Sequence, residues 1–192
     1  MTDTHSPQKS WNTEVEASLA EVEKYWLNRP GALTNGLRQV GEFSIEVLNE
    51  YIAYINEDEA YPLNLTVNQT IWVREILMSI NGQKAVYARS ITELTASRAA
   101  WQGIRALHAR PLADILYNDP AISRSSFETT KLNSELTLQR SIAQYPELPQ
   151  NELLARRSTF FQNHEGLTVN EVFLPGFWQE LAKHPLERQI SF

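Results

Sequence analysis

Two apolar stretches rich in β-forming residues meet at the dipeptide Asn81-Gly82, within residues 70–92 (TIWVREILMSINGQKAVYARSIT). A two-residue turn of type I′ needs positive φ at both central positions, and Asn-Gly adopts these conformations more readily than most dipeptides. Residues 70–92 are therefore predicted to form a β-hairpin. With a two-residue loop, Ile80 faces Gln83, and strand pairing continues outward from that pair.

This register places Arg74 directly opposite Arg89, so that two guanidinium groups share one face of the hairpin. Side chains alternate between the two faces of a strand, which makes the rest of that face apolar. Its other members are Trp72, Ile76 and Met78 on the first strand and Ala85, Tyr87 and Ile91 on the second.

Two buried cations side by side need an anion. Like charges across a sheet repel, and an unpaired buried charge costs on the order of several kcal/mol. In one interpretation, each arginine pairs with a carboxylate of the protein or reaches the edge of the sheet. In the other, the arginines form a pocket for a small molecule with a carboxylate, which fits the planar fork of arginine. A shift of one residue in the turn would place Arg74 and Arg89 on opposite faces.

Composition and charge exclude several classes of protein. The chain has 192 residues, 42% of them hydrophobic, which is enough for one domain with its own core. The net charge of −6 argues against a nucleic-acid partner, since phosphate contacts supply most of that affinity. No apolar run approaches the roughly 18 residues of a membrane span. The polar residues 1–10 predict a flexible tail, and the absence of cysteine fits the cytoplasm.

The rest of the chain mixes predicted helices with predicted strands. Apolar residues at helical spacing predict one helix that begins at the capping pair Thr13 and Glu16 and ends before Pro30. Further helices are predicted at residues 33–40, 95–107, 111–117 and 177–182. Strands are predicted at residues 43–55, with a bulge near 49–51, at 125–131, and in a second hairpin formed by 156–162 and 167–174. The acidic run 57–59 predicts a solvated loop, and residues 133–150 predict a long connection with a short helix.

These elements predict an α+β fold, with a single domain over residues 1–192 in which helices pack on an antiparallel β-sheet. Both hairpins are antiparallel, and strands do not alternate regularly with helices, which argues against a doubly wound fold. Ile71, Val73 and Leu77 make the second face of the first hairpin strand apolar as well. Both faces of the sheet should therefore be covered.

Most familiar catalytic motifs are missing from the sequence. The 4 histidines lack metal-ligand spacing, and there is no nucleophile elbow, phosphate-binding loop or dinucleotide fingerprint. What remains is Arg74, Arg89 and Glu171. The neighbours of Glu171 on its face of the strand are Leu167, Val169 and Phe173. Because desolvation opposes an ionised carboxylate, Glu171 needs a partner: either a structural pair with Arg156 or a central arginine, or a functional one.

Five short segments add a more specific signal. They are WVREIL at 72–77, YARSI at 87–91, RPLADILY at 110–117, LARRS at 154–158 and NEVFLP at 170–175. In order and approximate spacing they resemble the chorismate pyruvate-lyase family, whose enzymes cleave chorismate to 4-hydroxybenzoate and pyruvate in the first committed step of ubiquinone synthesis. The resemblance implies a cytoplasmic lyase that needs no cofactor or metal. We expect it to be a monomer.

The resemblance also implies roles for individual residues. Arg74, in WVREIL, is expected to hold the ring carboxylate of chorismate, and Glu171, in NEVFLP, to contact the ring oxygen and take part in proton transfer. Arg89 matches a second functional arginine and is expected on the enolpyruvyl side. Leu112, in RPL, and Leu33, in GALT, are expected to line the pocket.

So sparse a set of residues suits this reaction. Loss of the enolpyruvyl ether together with the C4 hydrogen leaves an aromatic ring, so the chemistry needs positioning and an acid or base rather than a metal. Two alternatives are a structural protein with buried ion pairs and a non-enzymatic effector-binding domain of the kind found in transcription regulators. A regulator would need a fused DNA-binding helix pair, for which residues 1–42 have neither the basic charge nor the length.

Overall fold

The computed structural model describes residues 10–192 and is built on one antiparallel sheet of seven strands. The strands are β1 (Phe43–Tyr54), β2 (Thr70–Ile80), β3 (Gln83–Glu93), β4 (Ser123–Arg124), β5 (Glu128–Lys131), β6 (Leu154–Gln162) and β7 (Glu165–Phe173). Their order in the sheet is β1-β2-β3-β7-β6-β4, and β5 also pairs with β6.

In the described residues, seven α-helices accompany the sheet: α1 (Glu21–Asn28), α2 (Leu33–Val40), α3 (Glu57–Leu63), α4 (Ala113–Leu116), α5 (Thr137–Ile142), α6 (Pro175–Leu181) and α7 (Leu186–Gln189). Two short 3₁₀ helices, Ala96–Arg98 and Gln102–Ala106, lie between β3 and α4. No helix within residues 10–192 is long and apolar enough to cross a membrane. Of the predicted tail, residues 1–10, all but Ser10 lie outside the described residues.

Helices cover both faces of the sheet. We call the face that carries Ile76, Ala88 and Glu171 the front face, and the face that carries Glu75 and Arg89 the back face. Side chains of α1, α2 and α6 pack on one part of the front face, and the 3₁₀ helices and α4 pack on another. Side chains of α3 and α5 cover the back face. The predicted α+β fold with an antiparallel sheet covered on both sides is confirmed.

The first hairpin is confirmed, but its predicted register is wrong. Asn81 and Gly82 have φ of 50° and 77°, as a two-residue turn requires, and Ile80 pairs with Gln83. Ala85 then forms a bulge in β3, and its carbonyl accepts a hydrogen bond from the Leu174 N–H at 2.9 Å. The pairs beyond the bulge are Met78 with Val86, Arg74 with Ser90, and Glu75 with Arg89.

When one strand contains an extra residue, the later side chains of that strand lie on the opposite face of the sheet from the one they would otherwise occupy. Arg74 therefore lies on the front face and Arg89 on the back face. The prediction that the two guanidinium groups face each other is wrong. Because the two arginines lie on opposite faces, they do not need a shared anion between them.

The chain before α1 does not form the predicted helix from Thr13. Asn12 instead pairs with Thr129 at the end of the sheet, with backbone hydrogen bonds of 2.9 Å and 2.7 Å between the two residues. Helix α1 begins at Glu21. Val15 and Leu19, in the segment before α1, are partly buried against the core without being helical. This segment forms backbone hydrogen bonds with the edge of the sheet, and the periodicity of its side chains could not predict that pairing.

The acidic run at residues 57–59 is the first turn of α3 rather than the predicted solvated loop. Asp58 and Glu59 are buried. The Asp58 carboxylate accepts hydrogen bonds from the Thr137 N–H at 2.8 Å and from the Thr137 hydroxyl at 2.6 Å, and Glu59 pairs with Arg89 at 2.7 Å. Carboxylates are stable at the N-terminus of a helix, and these partners satisfy them on the back face.

Several other elements agree with the predictions apart from their bounds, whereas β4 and α7 were not predicted. Helices α2, α4, α5 and α6, strands β1 and β5, and the second hairpin lie where they were expected, and the β1 bulge falls between Val47 and Asn49. The second turn is tighter than expected, with Asn163 and His164 at φ of 52° and 68°. Residues 95–107 form 3₁₀ turns instead of one α-helix.

Candidate active site

A narrow cavity lies between the front face and the polypeptide that begins α2 and α4. Its floor includes Ile76, Ala88, Ser90, Val169 and Glu171 from the central strands. Its cover includes Leu33, Thr34, Leu112, Leu116 and Tyr117. The cavity has a volume of about 50 Å³, and its lining is mostly apolar. We call this cavity the slot.

Glu171 is the carboxylate of this slot. It stands on β7 between Ala88 of β3 and Arg156 of β6, and the small alanine leaves space above the neighbouring strand. Its Oε2 accepts a hydrogen bond from Arg156 Nε at 2.6 Å, while Oε1 accepts none from residues 10–192. The side chain keeps 13% of its surface exposed. The structural pair with Arg156 therefore exists, but it occupies only one of the two carboxylate oxygens.

Arg156 is held rigidly below Glu171. It is fully buried, and its Nη1 donates to the carbonyls of Trp26 and Arg29 at the end of α1, both at 3.0 Å. A cation is favourable at the C-terminal end of a helix, where carbonyl groups lack partners. The Phe127 ring centre lies 4.3 Å from the guanidinium carbon. Arg156 therefore fixes the orientation of the Glu171 carboxylate. In the sequence, Arg156 was marked by its position in the segment LARRS at 154–158.

Arg74 lies beside the slot but does not line it. It is buried on the front face, and its Nη2 donates to the carbonyls of His108 and Arg110 at 2.7 Å and 3.2 Å. Its Nε donates to Glu50 at 3.2 Å. Burial lowers the pKa of Arg74, and the Glu50 carboxylate opposes that shift. Arg74 thus anchors the loop that leads into Leu112, which covers the slot.

Arg89 is not brought to the slot. On the back face it pairs with Glu59 at 2.7 Å and Glu75 at 2.9 Å, and it donates to the Tyr51 hydroxyl at 2.7 Å. Burial opposes its charge, but Glu59, Tyr51 and Glu75 together outweigh burial, and the pKa of Arg89 is raised. The catalytic role predicted for Arg89 stays a prediction, and this placement does not support it.

Leu33 and Leu112 both line the slot. Leu33 is the first residue of α2 and follows Gly31, whose φ of 73° turns the chain over the sheet. Leu112 immediately precedes α4 and is 8% exposed. The structure therefore brings together Glu171, Leu33 and Leu112, with Arg74 at the side.

Arg124 and Tyr117 also line the slot, and the sequence did not reveal them. Arg124 lies on the two-residue strand β4, which is too short to give a periodic signal. Its Nε donates to the Ser158 hydroxyl at 2.9 Å. Burial lowers the pKa of Arg124 and raises the pKa of Tyr117. Residues 10–192 contain no group of three or more His, Asp or Glu side chains placed to hold a metal ion.

The fold resembles that of two solved structures of one protein. The effector domain of PhnF from Mycobacterium smegmatis gives a TM-score of 0.50 at 12% identity, covering 76% of this chain and 89% of that one. The longer structure of PhnF gives a TM-score of 0.51 at 11% identity, covering 76% of this chain and 64% of that one. Likeness at such low identity concerns the fold alone.

The sequence comparisons identify the family. The family model described as chorismate lyase matches residues 7–183. The chain is 45% identical over 180 residues to a "Probable chorismate pyruvate-lyase" of Bordetella pertussis, covering 93% of this chain and 94% of that protein. It is 39% identical over 169 residues to a "Probable chorismate pyruvate-lyase 1" of Pseudomonas fluorescens, covering 88% and 90%. The chain therefore belongs to the chorismate lyase family of enzymes.

Proposed function

We propose that this protein cleaves chorismate to 4-hydroxybenzoate and pyruvate in the slot on the front face, and that the product serves ubiquinone synthesis. The observation that carries the proposal is the Glu171 carboxylate, which presents one oxygen without a partner in residues 10–192 to a mostly apolar cavity. In a member of the chorismate lyase family, that oxygen is well placed to exchange a proton with a flat ring.

The reaction needs no redox change. A base takes the hydrogen from C4 of chorismate, and the bond between C3 and the ether oxygen breaks, with its electrons leaving on enolpyruvate. The ring becomes aromatic, and enolpyruvate takes up a proton on its methylene carbon to give pyruvate. Atoms and charge balance with one base and one proton source. We assign proton transfer to Glu171, whose carboxylate Arg156 orients from below.

The remaining roles follow from position around the slot. Arg74 is assigned to the ring carboxylate, because it is the front-face cation beside the loop that carries Leu112. Leu33 and Leu112 are assigned to the two flanks of the ring. A mostly apolar slot with Glu171 and Arg124 in its lining would exclude water and fix the orientation of the ring, so that positioning contributes to the rate.

The direct test is to incubate the purified protein with chorismate and to follow both products. We expect 4-hydroxybenzoate and pyruvate to appear in equal amounts, without added metal or cofactor, and heat-denatured protein should give no such rise above the spontaneous rate. Binding of chorismate without formation of either product would contradict the proposal and would favour a non-enzymatic ligand-binding domain.

A further inference from the structure

Arg124 is a partly buried cation without an anionic partner. Within residues 10–192 the strands carry Arg124 and four other arginines: Arg74, Arg89, Arg156 and Arg157. Each of those four forms an ion pair with a carboxylate. Arg124 has no carboxylate of the described chain within ion-pair distance, and its polar contacts are to a hydroxyl and a carbonyl. Burying a charge in this way is unfavourable unless an anion arrives.

The contacts of Arg124 fix its guanidinium at the wall of the slot. Nε donates to the Ser158 hydroxyl at 2.9 Å, and Nη1 donates to the Gly31 carbonyl at 3.4 Å. The guanidinium carbon lies 3.9 Å from the ring centre of Phe127 and 5.0 Å from that of Phe160. Aromatic rings orient a guanidinium without neutralising it. Nη2 donates to no acceptor in the described part of the chain. The guanidinium is therefore held in place, and one of its nitrogens forms no hydrogen bond there.

A second polar group of the same wall also lacks a partner. The Thr34 hydroxyl is buried, lines the slot and forms no hydrogen bond within residues 10–192. Buried hydroxyl groups are nearly always hydrogen-bonded, so a ligand oxygen would account for this one. Thr34 follows closely on Gly31, whose carbonyl Arg124 contacts, which places both groups on the same side of the slot.

We propose that Arg124 binds the carboxylate of the enolpyruvyl group of chorismate, with the Thr34 hydroxyl as a further contact. This inference rests on the proposed function and names the residue that holds the second charge of the substrate. Guanidinium and carboxylate match in shape and charge, and a pair with two hydrogen bonds fixes orientation as well as affinity.

The positions of the groups on chorismate support this assignment. The ring carboxylate is on C1, the hydroxyl is on C4 at the opposite end of the ring, and the enolpyruvyl ether is on C3, next to C4. With Glu171 acting at C4, the enolpyruvyl group lies at the Glu171 end of the slot. Arg124 lines the same slot as Glu171, whereas Arg89 lies on the other face of the sheet. Arg124 thus takes the role that the sequence alone suggested for Arg89.

Two unreactive probes isolate the second carboxylate. The first is 3-(1-carboxyvinyloxy)benzoate, an aromatic compound that carries both carboxylates. The second, 3-(prop-1-en-2-yloxy)benzoate, has a methyl group in place of the enolpyruvyl carboxylate. Their dissociation constants are measured by calorimetry for the parent, for R124M, which keeps much of the stem but loses the charge, and for R38M. Arg38 is a matched control because it is exposed on α2, stacks on an aromatic ring and lies outside the slot.

The R124M variant should bind the dicarboxylate about 10- to 100-fold more weakly than the parent, the usual cost of a hydrogen bond to a charged group. Its affinity for the methyl probe and for 4-hydroxybenzoate should stay within a few-fold, and R38M should resemble the parent throughout. T34V should weaken only the dicarboxylate, by a smaller factor. If R124M does not fold, R124K keeps the charge without the fork and should still lose affinity selectively for the dicarboxylate.

Equal losses for both probes, or no loss for either, would overturn the assignment of Arg124. If the parent also converts chorismate, the proposed function stands and only this inference fails. If the parent neither converts chorismate nor binds the dicarboxylate probe, the proposed function itself is contradicted, and the inference falls with it.

Discussion

One carboxylate oxygen of Glu171 is bound by Arg156, and the other has no partner among residues 10–192. Arg156 holds Oε2 at 2.6 Å from a guanidinium that is itself fixed by the end of α1, and Oε1 remains open to the slot. From the sequence, an ion pair and a functional site were alternative explanations for this carboxylate. The structure shows that the ion pair leaves one oxygen available. A rigid pair of this kind positions a reactive oxygen better than a solvated side chain would.

Arg74 should contribute to affinity for the product. In R74M we expect binding of 4-hydroxybenzoate to weaken by about 1.5 to 3 kcal/mol, because the variant loses a hydrogen bond to a charged carboxylate. Calorimetry measures the affinity, and a thermal melt shows that the variant is folded. R105M is the control, since Arg105 is exposed and stacks on Trp72 in the same part of the molecule. Unchanged affinity in folded R74M would contradict this role.

Leu33 and Leu112 should contact the ring rather than serve only as core. We expect L33A and L112A to weaken binding of 4-hydroxybenzoate by about 1 to 3 kcal/mol, the range for lost apolar contacts in a binding pocket. L37A is the matched control, because Leu37 is fully buried in the same helix as Leu33 and does not line the slot. It should lose about 2 to 5 kcal/mol of stability while its affinity is unchanged. If L33A and L112A behave like L37A in a melt and a titration, the two leucines are core residues.

The bulge at Ala85 decides which side of the sheet each arginine occupies. Both strands of the first hairpin and its turn were predictable, because Asn-Gly and the apolar flanks are local signals. The bulge was not predictable in the same way, since the hydrogen bond from Leu174 that accompanies it comes from a segment far along the chain. The same limit applies to residues 57–59, whose carboxylates found buried partners on α5 and β3.

Arg89 should matter for stability more than for binding. In R89M the carboxylates of Glu59 and Glu75 would stay buried without their cation, and breaking such a pair costs about 3 to 5 kcal/mol. Urea denaturation should show a loss of that size, while the folded variant should bind 4-hydroxybenzoate within a few-fold of the parent. Loss of turnover with full stability would instead support the catalytic role that the family resemblance suggested. R38M should change stability by less than about 0.5 kcal/mol.

The two faces of the sheet differ in how their charged side chains are paired. The back face buries a closed network in which Arg89, Glu59 and Glu75 satisfy one another. The front face carries the slot, where Glu171 and Arg124 keep polar atoms without partners among residues 10–192. Fold class, hairpins and most candidate residues were predictable from local pattern and family resemblance. Arg124 was not predictable as a candidate residue. Its candidacy rests on its position in the slot, which is assembled from five separate parts of the chain when each hairpin is counted once.

A single-turnover assay of E171Q examines the role of the slot most directly. Glutamine keeps the volume of glutamate and a hydrogen-bonding end, but it cannot accept a proton. We expect E171Q to bind 4-hydroxybenzoate within a few-fold of the parent and to convert chorismate about 10²- to 10⁴-fold more slowly, the usual loss when general acid-base catalysis is removed. E165Q, on the same strand outside the slot, should match the parent. Conversion of chorismate by E171Q within a few-fold of the parent rate would contradict proton transfer by Glu171.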